Sequence, residues 1–78
     1  MPDILLVEIG QRISKRRTEL ELSRNALSDK AMSSICPIYL WEIEEGQKCL
    51  SALKLRNLAI ALGVSTDWIL GLTDEKER

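Results

Sequence analysis

The apolar positions of this chain recur every three or four residues, a spacing that places side chains on one face of an α-helix. No stretch alternates apolar and polar residues with β-branched enrichment, so the pattern favours helices over strands. Capping residues stand before the apolar runs, and glycine follows several of them. The pattern predicts five helices, which span about 3–19, 23–31, 37–45, 51–62 and 65–70 when their capping residues are included.

The predicted helix boundaries follow from side-chain chemistry. The hydroxyl oxygen of serine or the carboxylate oxygen of aspartate can accept a hydrogen bond from a backbone N–H in the first turn of a helix. That N–H otherwise lacks a partner. Pro37 suits the first position of the third helix, because that residue needs no amide hydrogen bond. The remaining boundary residues are Asp3, Ser23, Ser51 and Ser65 as N-caps, and Gly46 and Gly63 as left-handed C-terminal residues.

Length and composition indicate one soluble globular domain. The chain has 78 residues, enough for a single hydrophobic core, and 29% of them are charged. No apolar run approaches the roughly 18 residues of a membrane-spanning helix, and the first one, over 4–7, lacks the basic flank of a signal peptide. We therefore expect a cytoplasmic protein with no membrane association.

The residue types present exclude several kinds of chemistry. Without histidine and with two cysteines, the chain cannot form a four-ligand Cys/His zinc site or use histidine as a general base. Cys36 and Cys49 are expected to be reduced and structural. There is no glycine-rich phosphate loop. The sequence therefore predicts a non-enzyme, and it indicates no cofactor, no metal and no small-molecule ligand.

The total charge argues weakly against a nucleic-acid partner, whereas its placement argues for one. Eleven basic side chains face twelve acidic ones, which gives a net charge of −1. Residues 12–30, however, hold six basic side chains against three acidic ones. Such a basic segment can contact phosphates. It can equally be an ordinary solvated surface, and the sequence leaves both interpretations open.

Two short helices joined by a tight connection, after a long basic helix, have the layout of a helix-turn-helix domain. Four segments resemble the lambdoid phage repressor and Cro family, also called XRE-type domains. These are IGQRI at 9–13, LELS at 20–23, IEEG at 43–46 and LAIALGVSTDWILG at 58–71. The resemblance implies an all-α, compact five-helix fold of the lambda-repressor-like helix-turn-helix type, whose third helix enters the DNA major groove, usually as a two-fold dimer.

The same resemblance implies a domain division and a set of functional positions. Residues 1–72 would form the helix-turn-helix DNA-binding domain. Residues 73–78 are expected to be a disordered tail because they are almost wholly charged. DNA-backbone contacts would come from Ser23, Arg24, Asn25, Gln47 and Lys48, base reading from Pro37, Ile38, Tyr39 and Glu42, and a structural ion pair from Arg17 and Glu44.

The chain departs from the family pattern around the third helix, which the resemblance places in the DNA major groove. About two extra residues lie between Leu27 and Gly46, residues 32–34 occupy the turn where the family has a glycine before the third helix, and Glu21 replaces the glycine before Leu22. None of the base-reading positions is Arg, Asn or Gln. Glu42, Glu44 and Glu45 place three acidic residues on one short helix, which is unfavourable beside a polyanion.

Two functional hypotheses follow. The first is a small phage or prophage transcription regulator of the repressor/Cro type, which binds a double-stranded DNA operator as a homodimer. The alternative is a degenerate helix-turn-helix protein-interaction module, such as an antirepressor, with Ile38, Tyr39 and Trp41 as its contact surface. Trp68 is expected in the core, whereas Trp41 could be buried or exposed.

Overall fold

The computed structural model describes residues 4–32 and 35–76, and within these ranges the chain is helical with no strand. None of the helices found there is long and apolar enough to cross a membrane. The prediction of an all-α, five-helix fold is confirmed. The helices are α1 (Ile4–Glu19), α2 (Arg24–Lys30), α3 (Pro37–Glu44), α4 (Ala52–Leu62) and α5 (Thr66–Leu70).

The helix starts use the predicted capping residues. The hydroxyl oxygens of Ser23, Ser51 and Ser65 each accept the backbone N–H three residues later, at 3.0–3.2 Å. The thiol of Cys36 takes the same role before Pro37 and accepts the Tyr39 N–H at 3.4 Å. Each cap satisfies an amide that the helix itself cannot. Asp3, the predicted cap of α1, lies outside the described residues.

The helix ends share one feature, in which a residue one or two positions after the helix adopts a left-handed conformation. Gly46, Gly63 and Gly71 do so after α3, α4 and α5, with φ between 67° and 80°. After α1 the left-handed residue is Glu21, with φ 57°, and after α2 it is Met32, with φ 59°. Glu21 lies where the resemblance expects a glycine, and Met32 belongs to the turn in which the family's other glycine is missing. Both residues adopt a left-handed backbone although neither is the residue that adopts it most easily.

The core lies where α3 meets α1 and α2, and where α4 meets α2 and α5. Trp68 is buried, as expected, whereas 43% of Trp41 is exposed. Burial of these apolar side chains is the main favourable contribution to folding. The buried apolar residues are Ile13, Leu27, Ala31, Ile35, Leu40, Ile43, Leu58, Ala59, Leu62, Val64, Trp68 and Ile69.

At Gly10, α1 passes close to the end of α3. A Cβ atom at this position would collide with the carbonyl oxygens of Ile43 and Glu44. Because these are backbone atoms, no side-chain rotation could relieve the collision. Gly10 therefore sets the distance between α1 and α3, and with it the position of the last turn of α3.

Residues 73–76, in the part expected to be a disordered tail, lie against α1 and α5. The Lys76 ammonium is 3.2 Å from a carboxylate oxygen of Glu19 and 5.5 Å from the centre of the Trp68 ring. The Lys76 carbonyl accepts the Ser65 N–H at 2.7 Å. Residues 77 and 78 lie outside the described part of the chain, and the division into a domain over 1–72 and a disordered tail stays a prediction.

Candidate nucleic-acid interface

Buried contacts on both sides of the turn fix α3 relative to α2. Leu27 on α2 and Ile35 in the turn both lie in the core. The Ser28 hydroxyl donates a 2.6 Å hydrogen bond to the Ile35 carbonyl, and both groups are buried. The bond satisfies two polar groups away from water, where an unpaired one would be costly. The first turn of α3 is therefore held at a defined place beside α2.

The outward face of α3 combines apolar and acidic side chains. Ile38, Trp41, Glu42 and Glu45 follow the i, i+3, i+4, i+7 spacing that places residues on one helix face. Ile38 is 74% exposed and Trp41 is 43% exposed. Glu45 is exposed and Glu42 is half-buried. The face can contact apolar groups such as thymine methyls and can accept hydrogen bonds, but it presents no cation.

The structure separates the four base-reading candidates. Ile38 and Glu42 share the outward face, and Pro37 is half-buried in the first turn of α3. Tyr39 is turned toward the chain that follows the helix, because its hydroxyl donates a 2.6 Å hydrogen bond to the Cys49 carbonyl. Its phenol group therefore holds this loop against α3.

Lys54 is a cation near this surface that the sequence interpretation missed. Its ammonium lies 4.2 Å from the centre of the Tyr39 ring, within the range of a cation–π interaction. The contact joins the first turn of α4 to α3. The sequence offered one signal for this cation, which was a lysine in the first turn of a helix that has no acidic residue there. Only tertiary packing, however, places this lysine over Tyr39.

The expected partners Arg17 and Glu44 lie in direct contact. Arg17 Nε donates to Glu44 Oε2 at 2.8 Å and Nη2 donates to Oε1 at 3.1 Å. Arg17 also donates to the Leu22 carbonyl at 2.8 Å. The Glu44 side chain is only 1% exposed, so its charge does not belong to the acidic outer surface of α3.

Arg24 joins the same carboxylate, which the sequence interpretation did not foresee. Its Nε and Nη2 atoms lie 3.2 and 3.0 Å from Glu44 Oε1. The Arg24 side chain remains 36% exposed. Glu44 thus connects α1, the start of α2 and the end of α3, and the group of Arg17, Glu44 and Arg24 carries a net charge of +1.

The other backbone-contact candidates lie at the surface. The Ser23 hydroxyl oxygen caps α2, and Asn25 follows in its exposed first turn. Gln47 and Lys48 are exposed in the segment after α3. The Gln47 N–H donates to the Glu42 carbonyl at 2.8 Å, which holds the start of that segment on the helix end. That these residues contact DNA stays a prediction.

Some of the basic side chains of α1 make contacts within the fold. Arg16 Nε donates to the Leu62 carbonyl at the end of α4, at 3.1 Å. The Arg12 guanidinium lies over Gly71, where an added Cβ would be 3.2 Å from one of its nitrogens. A cation near the C-terminal end of a helix also interacts favourably with its dipole. The excess of basic residues over 12–30 is therefore only partly available to a ligand.

Elsewhere the described surface offers few features of a cofactor site. In residues 4–32 and 35–76, no group of three His, Cys, Asp or Glu side chains is arranged to hold a metal ion. A shallow depression of about 410 Å³ lies between α4 and α5, lined by Arg56, Ala59, Ile60, Ser65 and Thr66.

Solved structures similar to this chain are regulators. The restriction-modification controller protein C.AhdI from Aeromonas hydrophila is 30% identical, with a TM-score of 0.76, over 82% of this chain and 94% of that one. The clp gene regulator ClgR from Corynebacterium glutamicum is 25% identical, with a TM-score of 0.80, over 92% of this chain and 90% of that one. No protein-family model and no curated protein matches the chain.

Proposed function

Because the chain belongs to the helix-turn-helix transcription regulators, we propose that it binds double-stranded operator DNA with α3 in the major groove. The observation that carries the proposal is the solvent-exposed face of α3, which is fixed through Glu44 to the half-exposed Arg24 at the start of α2. A reading helix and a cation that can reach the DNA backbone are thereby held on one rigid unit. The protein acts in the cytoplasm, without enzymatic activity and without a cofactor.

Each surface group has a role suited to its chemistry. Ile38 contacts a thymine methyl group, and Glu42 accepts a hydrogen bond from a cytosine amino group. Arg24 and Lys48 contact phosphates as cations, which favours binding at low salt. Polar contacts to the DNA backbone also come from Ser23, Asn25 and Gln47.

The operator is a palindrome bound by a homodimer, with half-sites about one helical turn apart. We assign the protein to the phage or prophage repressor/Cro type on the resemblance of its sequence. C.AhdI is named as a restriction-modification controller and ClgR as a clp gene regulator, so related folds control different kinds of gene.

Selection of sites from a random oligonucleotide pool, at low salt and with the full chain, tests the proposal. The expected result is enrichment of a palindromic sequence with half-sites about 10 base pairs apart. Sedimentation of the complex should then show two chains per site. A pool that remains unenriched would contradict DNA reading by this protein.

Arg24→Gln should weaken specific and non-specific binding alike. Loss of one phosphate contact should reduce the slope of log affinity against log salt by about 0.9. Lys30→Gln is the matched control, because it removes the same charge at the opposite end of α2 and should leave the slope unchanged. Fluorescence anisotropy at several salt concentrations measures both, and identical slopes for parent and Arg24→Gln would remove Arg24 from the interface.

A protein-interaction module is the second candidate, favoured by the apolar exposure around α3. Ile38 and Trp41 are exposed on its outer face, and Met32, just before the turn to α3, is 68% exposed. Exposed apolar groups of this kind suit a protein partner. Glu42 and Glu45 on the same face oppose the approach of a polyanion.

Glu42→Gln distinguishes the two candidates. If Glu42 reads a cytosine, the variant should lose discrimination at one base pair by about 1–3 kcal/mol. If α3 is a protein-binding helix, the variant should raise the affinity for all DNA sequences equally, because it only removes repulsion. In that case Ile38→Ala and Trp41→Ala should abolish capture of a protein partner in a pull-down.

A further inference from the structure

The Glu44 carboxylate is shared between an arginine that serves the fold and one that lies at the proposed interface. Arg17 uses both carboxylate oxygens and also the Leu22 carbonyl, and its side chain is 15% exposed. Arg24 contacts only Oε1, through a hydrogen bond from its Nε at 3.2 Å and an ion-pair contact of its Nη2 at 3.0 Å. The two arginines therefore differ in how much of each side chain is exposed.

Arg24 keeps donors for a second ligand while it is held by Glu44. A guanidinium has five N–H groups in a fixed plane, and the hydrogen bond to Oε1 engages one of them. The Arg24 side chain is 36% exposed, so it can be reached by a phosphate oxygen. Because the plane is rigid, fixing one edge also fixes the direction of the other.

We propose that Glu44 is a positioning residue for DNA binding, which orients the Arg24 guanidinium toward the phosphate backbone. The inference rests on the proposed function, since it concerns the same interface. An arginine that is already ordered loses less side-chain freedom on binding than a mobile one. Because Glu44 is the last residue of α3, it also fixes the backbone contact of α2 relative to the reading helix.

Glu44→Gln and Glu45→Gln form a matched pair that separates positioning from simple charge. Each variant removes one negative charge at the end of α3, and Glu45 is exposed. Loss of repulsion alone raises DNA affinity or leaves it unchanged, and we expect this for Glu45→Gln. For Glu44→Gln we expect a lower affinity, by about threefold to tenfold, because Arg24 loses its orientation.

The effect must pass through Arg24. In an Arg24→Gln background, Glu44→Gln should therefore cause no further loss of affinity, whereas Glu45→Gln should act as it does in the parent. An equal loss from Glu44→Gln in both backgrounds would overturn the positioning role. Affinities are compared for folded protein, as judged by circular dichroism at the temperature of the measurement.

Arg24→Lys tests the proposal without disturbing the pair of Arg17 and Glu44. Lysine keeps the charge but lacks the planar guanidinium group, two of whose nitrogens contact Glu44 Oε1. We expect a salt slope like that of the parent and an affinity about threefold to tenfold lower. Parental affinity in Arg24→Lys would show that charge suffices, and would overturn the inference while the proposed function stands. A parent that binds no DNA at low salt would instead refute the proposed function and the inference with it.

Discussion

Glu21 shows at the scale of one residue how the chain keeps a turn without the residue that suits it. Its φ of 57° costs free energy because the Cβ atom crowds the following carbonyl. The turn nevertheless forms both hydrogen bonds of the motif, from Glu21 N–H to the Thr18 carbonyl and from Leu22 N–H to the Arg17 carbonyl. We expect Glu21→Gly to raise the free energy of unfolding by about 0.5–1 kcal/mol, measured by urea denaturation.

Glu21→Ala is the control for this change. It removes the same side chain and charge but retains the Cβ atom, so it should give no comparable gain. If both variants had equal stability, the backbone conformation of residue 21 would not be the source of the cost.

The contact between α1 and α3 is the element-scale feature on which the proposed interface depends. Gly10→Ala would place a methyl group against the Ile43 and Glu44 carbonyls, and the helices would have to move apart. Overpacking of this kind costs roughly 1–3 kcal/mol, which exceeds the gain of up to about 1 kcal/mol in helix propensity. We expect a net loss of stability in urea melts.

Gln11→Ala, at the exposed neighbouring position, provides the comparison. It changes helix propensity without entering the contact, so its stability should stay within about 0.5 kcal/mol of the parent. A Gly10→Ala protein that is as stable as the parent would mean that the two helices can separate at little cost.

At the scale of the whole molecule, residues 73–76, at the end of the described chain, lie against α1 and α5. The hydrogen bond from Lys76, aided by its charge and by Arg16, lowers the pKa of Glu19. A carboxylate whose pKa is lowered in the folded state stabilises that state above its ordinary pKa. This contribution is lost as the pH falls through the lowered value. We expect Lys76→Gln to raise the pKa of Glu19 toward its ordinary value, as measured by NMR titration of the side-chain carboxyl carbon.

Lys54→Gln, which removes a cation that lies over Tyr39 instead, should leave the Glu19 titration unchanged. Should Lys76→Gln also leave it unchanged, the segment would not rest on α1 in solution.

The elements of this protein could be predicted from the sequence because they depend on neighbours along the chain. The caps at Ser23, Ser51 and Ser65 each act on an amide three residues away, and the apolar spacing defines each helix locally. The all-α fold and the place of Trp68 in the core follow from this local information together with the family resemblance. The expectation that Arg17 and Glu44 meet came from the resemblance alone, since 27 residues separate them.

Only the tertiary structure decided how Arg24, Lys54 and Lys76 are used. Arg24 reaches Glu44 across 20 residues, and Lys76 reaches Glu19 across 57. A cation either holds parts of the fold together or is available to a ligand at the surface, depending on which acceptor packing brings within about 3 Å. Short-range sequence patterns carry no such information. The helices were therefore determined locally, whereas the set of side chains at the proposed interface was determined by how those helices pack.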